Sequence, residues 1–262
     1  MTTVLENDFH NAAKSALAFA GPLHHGRIPA SVRVARSGDH VVFVGFDAYS
    51  VAYVRIPIVE NAAPLDVYLD AKDLKSRLGV LKSPIRDHRM LRVSPLGDGR
   101  ALGAIRDDGE EYVFSAPQFP GDVAGDRGMA MISAVYRMPP VMPPIDYRTG
   151  FAERAPAPNI PVSRVALTAS LFARIKAATW NDAADPLLLE PGPRPTWPVM
   201  FRVGDYMVGK IMPRTLIDHE VNARHVRESW ADTLSDLNAQ QHEHPANPYP
   251  REWDLDFWNS DR

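Results

Sequence analysis

The sequence predicts an α+β fold built from repeated units, each a helix followed by about three antiparallel strands. Two observations carry this. The order helix, strand, strand, strand reads out over residues 7–57 and again over 65–120. The pattern V-x-L-x-A stands at Val67–Ala71 and again at Val165–Ala169, and each time a helical stretch follows. A motif that returns with the same element order behind it marks an internal repeat.

In the first unit, Asn7 or Asp8 is the expected cap of a helix over 7–20. Phe9, Ala13, Ala16, Leu17 and Ala20 recur at helical spacing, and Gly21-Pro22 stops it. Ser31–Arg36, His40–Phe46 and Ser50–Pro57 read as strands, because Val32 and Val34, then Val41 and Phe43, keep a period of two. In the second unit a strand at Val67–Ala71 leads into a helix at Lys72–Leu81, with Leu74, Leu78 and Leu81 as its buried stripe. Strands at Met90–Ser94, Ala101–Arg106 and Glu111–Ser115 follow, with Gly97-Asp98-Gly99 and Asp107-Asp108-Gly109 as hairpin turns.

The third unit repeats the scheme with a strand at Val165–Ala169 and a helix at Ser170–Trp180. Leu171, Phe172, Ile175 and Ala178 share one side of that helix. A strand at Leu187–Leu189 precedes a hairpin at Pro198–Thr215, turned at Gly204-Asp205 and stopped by Pro213, which cannot donate to a ladder. This hairpin is expected to bury one face and leave the other to water or a partner. Residues 121–162 break the pattern. Met129–Met138 reads as a strand, and Pro139, Pro140, Pro143 and Pro144 exclude a long helix after it, which leaves an extended connection or a unit without its helix. Beyond Thr215, Val226, Trp230, Leu234 and Leu237 share one face of a helix over about 220–240, and the chain from Gln241 to Trp253 is polar and Pro-rich, as in disordered segments. The expected division is a first domain at 1–122, a shortened or divergent second at 123–215, and a helix with an acidic tail at 216–262.

With 262 residues, 45% of them hydrophobic, the chain has core enough for one large or two ordinary domains. Its 29 Lys+Arg against 32 Asp+Glu exclude wholesale basic attraction to nucleic acid and leave room for a local basic face. Residues 216–262 hold ten acids and four bases, so an acidic tail hangs on a mildly basic body. The absence of cysteine removes disulfides, thiolate zinc sites and cysteine nucleophiles. The first residues lack the basic start and long apolar run of a signal peptide, and no stretch approaches the roughly 18 apolar residues that span a bilayer. A cytoplasmic protein with no membrane partner is expected.

Enzyme signatures are missing. There is no G-x-x-x-x-G-K and no G-x-S-x-G, and Gly97, Gly99 and Gly103 lie between strands rather than before a helix. His24-His25, His219 with His225, and His242 with His244 lack metal spacing and carboxylate company. Asp254 and Asp256 sit in a tail too loose to fix an ion. No catalytic residue, metal or cofactor is expected, and the chain is read as a non-enzyme.

Several stretches in this order resemble the DNA sliding clamps of bacterial type. FHNAAKSALAFA with IPASVRVARSGDHVVFVGFDAYSVAYVRI resembles their opening helix and strands, including an Asp-x-x-Ser turn at Asp47–Ser50. LDVYLDAKDLKSRLGVLK resembles the strand into their second helix, EEYVFSAPQFPGD the aromatic-Pro close of a clamp domain, and Met212-Pro213-Arg214 a shortened Met-Pro-x-Arg close of the last strand. The resemblance covers 7–122 and 163–215. It implies the DNA-clamp fold, in which half-domains of one helix and a short antiparallel sheet pair into domains. It also departs: bacterial clamps have three domains, this chain has room for about one and a half to two, and residues 216–262 follow the Met-Pro-Arg close. A closed ring of the family has twelve half-domains, so three per chain require four chains and four per chain require three.

The resemblance implies a processivity factor that encircles duplex DNA as a homo-oligomeric ring, without reading sequence, and tethers a replicative polymerase, with a clamp loader as a further partner. The compact size and appended tail suit a phage-encoded version. Phosphate-facing candidates are Lys72, Lys75 and Lys82, which fall within an arc of roughly 80° on the second helix, with Lys14 on the first and Arg174 and Lys176 on the third; ordinary solvated lysines on amphipathic helices are the plain alternative. Met212, Pro213 and Arg214 would edge a pocket for partner peptides, or else be core and strand stop. The tail's Trp253, Leu255, Asp256, Phe257 and Trp258 are similar to the clamp-binding peptides of polymerases and are candidates for docking in such a pocket or for packing on the body. An alternative function is a clamp-fold interaction protein that binds a host clamp or polymerase through this tail without encircling DNA. A weaker one is a β-rich structural protein.

Overall fold

The computed structural model describes residues 1–23, 26, 28–81, 89–97, 101–119, 126–137, 167–181, 184–191 and 198–213. The chain divides into two compact bodies, Met1–Thr215 and Leu216–Arg262. The second, with the expected helix at 220–240 and the aromatic tail, lies outside the described residues.

The first unit runs β1 (Thr2–Leu5), α1 (Glu6–Leu17), β2 (Ser31–Ser37), β3 (His40–Phe46), β4 (Ser50–Pro57). The second runs β5 (Asp66–Asp70), α2 (Ala71–Leu78), β6 (Met90–Leu96), β7 (Ala101–Arg106), β8 (Glu111–Ser115). After α3 (Asp126–Arg137) comes the third unit, α4 (Ala169–Ala178), β9 (Leu187–Glu190), β10 (Val199–Val203), β11 (Met207–Ile211). The α+β class and the antiparallel strands are as the sequence predicts.

Two sheets result, one of order β1-β6-β7-β8 and one of order β5-β2-β3-β4-β11-β10-β9. The strand that leads into each helix belongs to the other unit's sheet. β1 pairs with β6, Leu5 opposite Met90, and β5 pairs with β2, Asp70 opposite Ser31. The third unit joins through its last strand, as β11 pairs antiparallel with β4 from Met207↔Val54 to Ile211↔Ser50. The seven-stranded sheet therefore bridges the expected border at residue 122.

One core runs through both sheets and three helices. Phe9 of α1 meets Phe43 of β3 edge-on at 5.1 Å and Phe114 of β8 at 5.7 Å, so it touches both units. Ala12, Ala13 and Ala16 let α1 lie close to the sheet. The seat is Gly45, where a Cβ would stand 1.9 Å from the Ala16 carbonyl oxygen.

Several expectations are corrected. α1 starts at Glu6 with Leu5 in the cap position and no side-chain cap, in place of Asn7 or Asp8. The chain enters it straight from β1, and the Glu6 N–H donates to the Arg89 carbonyl at 2.9 Å, so strand pairing fixes the helix start. β1 itself is four residues with no turn after it, which hides it from pattern reading. α2 ends at Leu78, and Leu81 is buried beyond it. Met129–Met138 is not a strand. It falls largely in α3, because Met129 and Ile132 share a helical face that packs with Leu23, Ile28 and Tyr68.

The strand expected at Val165–Ala169 does not extend to its end. Thr168 is extended in the cap position and Ala169 is the first residue of α4, as Ala71 is of α2. Val165 and Ala166 lie outside the described residues. The β10–β11 hairpin turns at Gly204, whose φ of +52° suits glycine. Val199, Phe201, Val203, Met207 and Ile211 carry its core face, while on the other face Met200 and Lys210 are buried and Arg202 and Val208 half-buried, so that face is less open than expected.

At the crossing of the first two units, Arg106 of β7 clasps Glu6 with both arms, Nε to Oε2 at 3.0 Å and Nη2 to Oε1 at 2.9 Å. Both side chains are buried, and Arg106 also lies 5.2 Å from the Tyr112 ring centroid. Burial works against the Arg106 charge, but the hydrogen bonds and charge of Glu6 outweigh it and raise its pKa. Glu6→Ala is expected to cost about 3–5 kcal/mol, as an uncompensated buried charge does, read by urea unfolding; a loss below about 1 kcal/mol would refute the clasp. Gly45→Ala is expected to lift α1 from the sheet and cost at least about 1–3 kcal/mol, seen as a lower Tm.

Candidate nucleic-acid interface

α1 packs against α2 on one side and α4 on the other, so the three unit helices form a row with α1 in the middle. Lys72 and Lys75 of α2, Lys14 of α1 and Lys176 of α4 are all exposed. Lys14 and Lys176 line one open groove between α1 and α4, together with Ala173, Ala177, Thr179, Trp180 and Asn181. Lys82 lies outside the described residues.

Arg174 departs from the expected set. Its guanidinium pairs with the Asp47 carboxylate and donates to Ser50 Oγ at 2.9 Å. Asp47 is the organiser of that turn, with its Oδ1 accepting from Tyr49 N–H at 2.8 Å, Ser50 N–H at 2.7 Å and Ser50 hydroxyl at 2.9 Å. Arg174 is a clip that holds α4 to the first unit's turn, not an open cation for phosphate. The Asp-x-x-Ser spacing foretold the turn; nothing local foretold its partner 127 residues on.

A second set of contacts sets the spacing of α1 and α4. The Ser15 hydroxyl is buried, donates toward the Ala178 carbonyl at 2.6 Å, and accepts from Trp180 Nε1 at 2.9 Å. Trp180 stacks on Tyr206 with centroids 3.9 Å apart and planes 15° from parallel. The Tyr206 hydroxyl accepts from the Trp180 N–H at 2.9 Å and donates to Asp185 at 2.8 Å. Ser15 reads as a polar surface residue in the sequence, and its role is visible only in the fold.

α2 is fixed in a similar way. Asp70 caps it by accepting from the Asp73 N–H at 2.8 Å, and Asp73 accepts from the Ser115 N–H at 2.7 Å and Arg77 Nε at 2.9 Å. Burial opposes ionisation of Asp73, but the Ser115 N–H and the Arg77 guanidinium outweigh it and hold the carboxyl below its usual 3.8.

At the proposed pocket edge, Met212 is exposed and its N–H donates to the Tyr49 carbonyl at 2.8 Å, with Tyr49 itself open to solvent. Pro213 is half-buried. Arg214 and the tail residues Trp253, Leu255, Asp256, Phe257 and Trp258 lie outside the described residues. Among the described residues no three His, Asp or Glu side chains converge as a metal site, and no helix is long and apolar enough to cross a membrane.

A helical row backed by crossed antiparallel sheets is the architecture of the DNA sliding clamps, and this chain has that fold. The β subunit of DNA polymerase III from Pseudomonas aeruginosa superposes with a TM-score of 0.54 at 9% identity, over 88% of this chain and 73% of that one. The β subunit from Thermotoga maritima gives 0.52 at 9% identity, over 84% and 66%. A ligand-bound sliding clamp from P. aeruginosa gives 0.53 over 84% and 66%, again at 9% identity. No protein-family model and no curated protein matches the sequence.

Arg174→Ala is expected to loosen α4 and lower stability by about 1–2 kcal/mol, less than a fully buried charged hydrogen bond because the guanidinium is a third exposed. Asp73 has a depressed folded pKa, so its contribution is whole above the ordinary carboxylate value and is lost as pH falls through the folded one. Asp73→Asn should flatten the fall in stability below about pH 4 relative to wild type, measured as Tm against pH. An unchanged acid limb would remove Asp73 from this role.

Proposed function

We propose that this protein is a sliding-clamp-like processivity factor, which encircles duplex DNA as a homo-oligomer and tethers a replicative polymerase. One observation supports the reading above the others: the row α2–α1–α4, in a fold shared with sliding clamps, bears exposed Lys72, Lys75, Lys14 and Lys176. Lysines on a rigid helical face neutralise phosphates without reading bases, as a ring that slides requires. The function needs no bond chemistry, metal or cofactor. The first two units make one clamp-like domain and the third belongs to a second; the protein works in the cytoplasm, and a loader opens the ring. Lys82 extends the basic face. Met212, Pro213 and Arg214 edge the pocket for partner peptides, and Trp253–Trp258 of the tail dock in such a pocket.

The test is topological. Wild-type protein assembled on a closed circular plasmid should stay bound through a high-salt wash and be lost when one restriction cut linearises the circle. Replacing Lys14, Lys72, Lys75 and Lys176 with Ala should reduce the salt slope of DNA binding by about 0.9 for each phosphate contact removed, while Arg174→Ala leaves that slope alone. Equal retention on circular and linear DNA sinks the ring. If polymerase capture then disappears on deleting Trp253–Trp258, the chain is an interaction protein of clamp fold instead.

A further inference from the structure

The first two units complete each other by a reciprocal exchange, and the third shows the same features without the exchange. In the first two, the strand after each helix is covered at its edge by the other unit's leading strand, β6 by β1 and β2 by β5. In the third, β9 holds the place of β2 and β6. Among the described residues it ends its sheet, and all four of its residues are exposed, with Leu187, Leu188 and Leu189 at 37%, 52% and 40%. A row of leucines along a sheet edge invites another strand.

The helix beside it adds a second open place. The buried stripe of α4, Leu171, Ile175 and Ala178, keeps the spacing of Phe9, Ala13 and Ala16 in α1, and Phe172 lies off that stripe and is 43% exposed. An open strand edge and an open aromatic are thus the two places that a paired unit would cover.

We infer that the third unit is completed by the third unit of a second copy, about a two-fold axis, with each chain's lead into α4 laid along the other's β9. The register follows from the two existing crossings. The cap residue of each helix faces the first residue of the covered strand, Leu5 with Met90 and Asp70 with Ser31. Thr168 of one copy therefore faces Leu187 of the other, and Leu167 faces Leu188. In both existing crossings the covering strand comes from another unit and not from the unit's own lead. Ile175 is buried as Ala13 and Leu78 are, so the contact is carried by the strand edge and Phe172 rather than by the whole helix face. This interface goes beyond the ring reading and does not require DNA.

The full chain is measured by analytical ultracentrifugation at micromolar concentration, alone and as Leu188→Lys and Phe172→Asp. Wild type is expected as an even-numbered assembly, and each variant at half that mass with an unchanged far-UV circular dichroism spectrum, since both positions are exposed within one chain. Thr168→Cys with Leu187→Cys, in a chain that has no other cysteine, should give a covalent dimer under oxidation. A monomeric wild type, variants of unaltered mass, or a disulfide closed within one chain would overturn the proposal. A two-fold dimer that ignores circular DNA would sink the ring and leave this interface standing.

Discussion

The structure rests on an exchange of strands. Each helix of the first two units is entered from a strand that lies in the other unit's sheet, so neither unit can close its own hydrogen-bond ladder alone. Backbone N–H and C=O groups left open at such an edge are costly when buried, and the exchange satisfies both edges at once. It also explains where the most deeply buried ion pair among the described residues sits. Glu6 is the first helical residue after β1, and Arg106 lies on the sheet that β1 has crossed into. A buried pair is weak evidence for net stability, but it tolerates little misalignment. Here it registers the crossing.

The same exchange puts α1 at the centre. It must touch its own sheet, the sheet that β1 has joined, and helices on either side, and it has room only because its inner face is alanine with one phenylalanine. Gly45 marks the closest approach, where even a methyl group would collide with the helix backbone. The helix is then a rigid spacer between α2 and α4. Ser15 and Trp180 hold one flank and Arg174 with Asp47 fastens the same junction from below. The cations left in solvent, Lys14 and Lys176 among them, stand on elements fixed by several independent contacts. In a chain of net charge −3, placement and not total charge decides what such a face attracts.

Most of the fold was legible because its strands alternate and its turns carry glycine and aspartate. Ser50–Pro57, Ala101–Arg106 and Glu111–Ser115 fall where the pattern puts them. The repeat was legible through V-x-L-x-A, whose final alanine begins α2 and α4 alike. What escaped was set by distant partners. β1 is a strand only because β6 lies beside it. α3 is a helix because Met129 and Ile132 find Leu23, Ile28 and Tyr68. The hairpin's two edges are covered because β4 and β9 flank it. Of the candidate site, the four exposed lysines could be read from helical spacing, while Arg174 looked the same as they do until its carboxylate, on another unit, was in view.

An odd number of units among the described residues has a consequence of its own. Units that complete one another in pairs leave the third with the same needs and no strand among the described residues to meet them. Joining β11 to β4 answers a different edge and leaves β9 as it was. Natural sheets protect exposed edges with charge, proline or short length, and β9, though only four residues between Pro186 and Pro191, still presents three exposed leucines. Such an edge is a hazard in a free monomer and an asset in a symmetric assembly, where the same surface on two copies satisfies itself. The unpaired edge and the odd count thus point to one arrangement, in which the symmetry within the first domain is repeated as symmetry between chains.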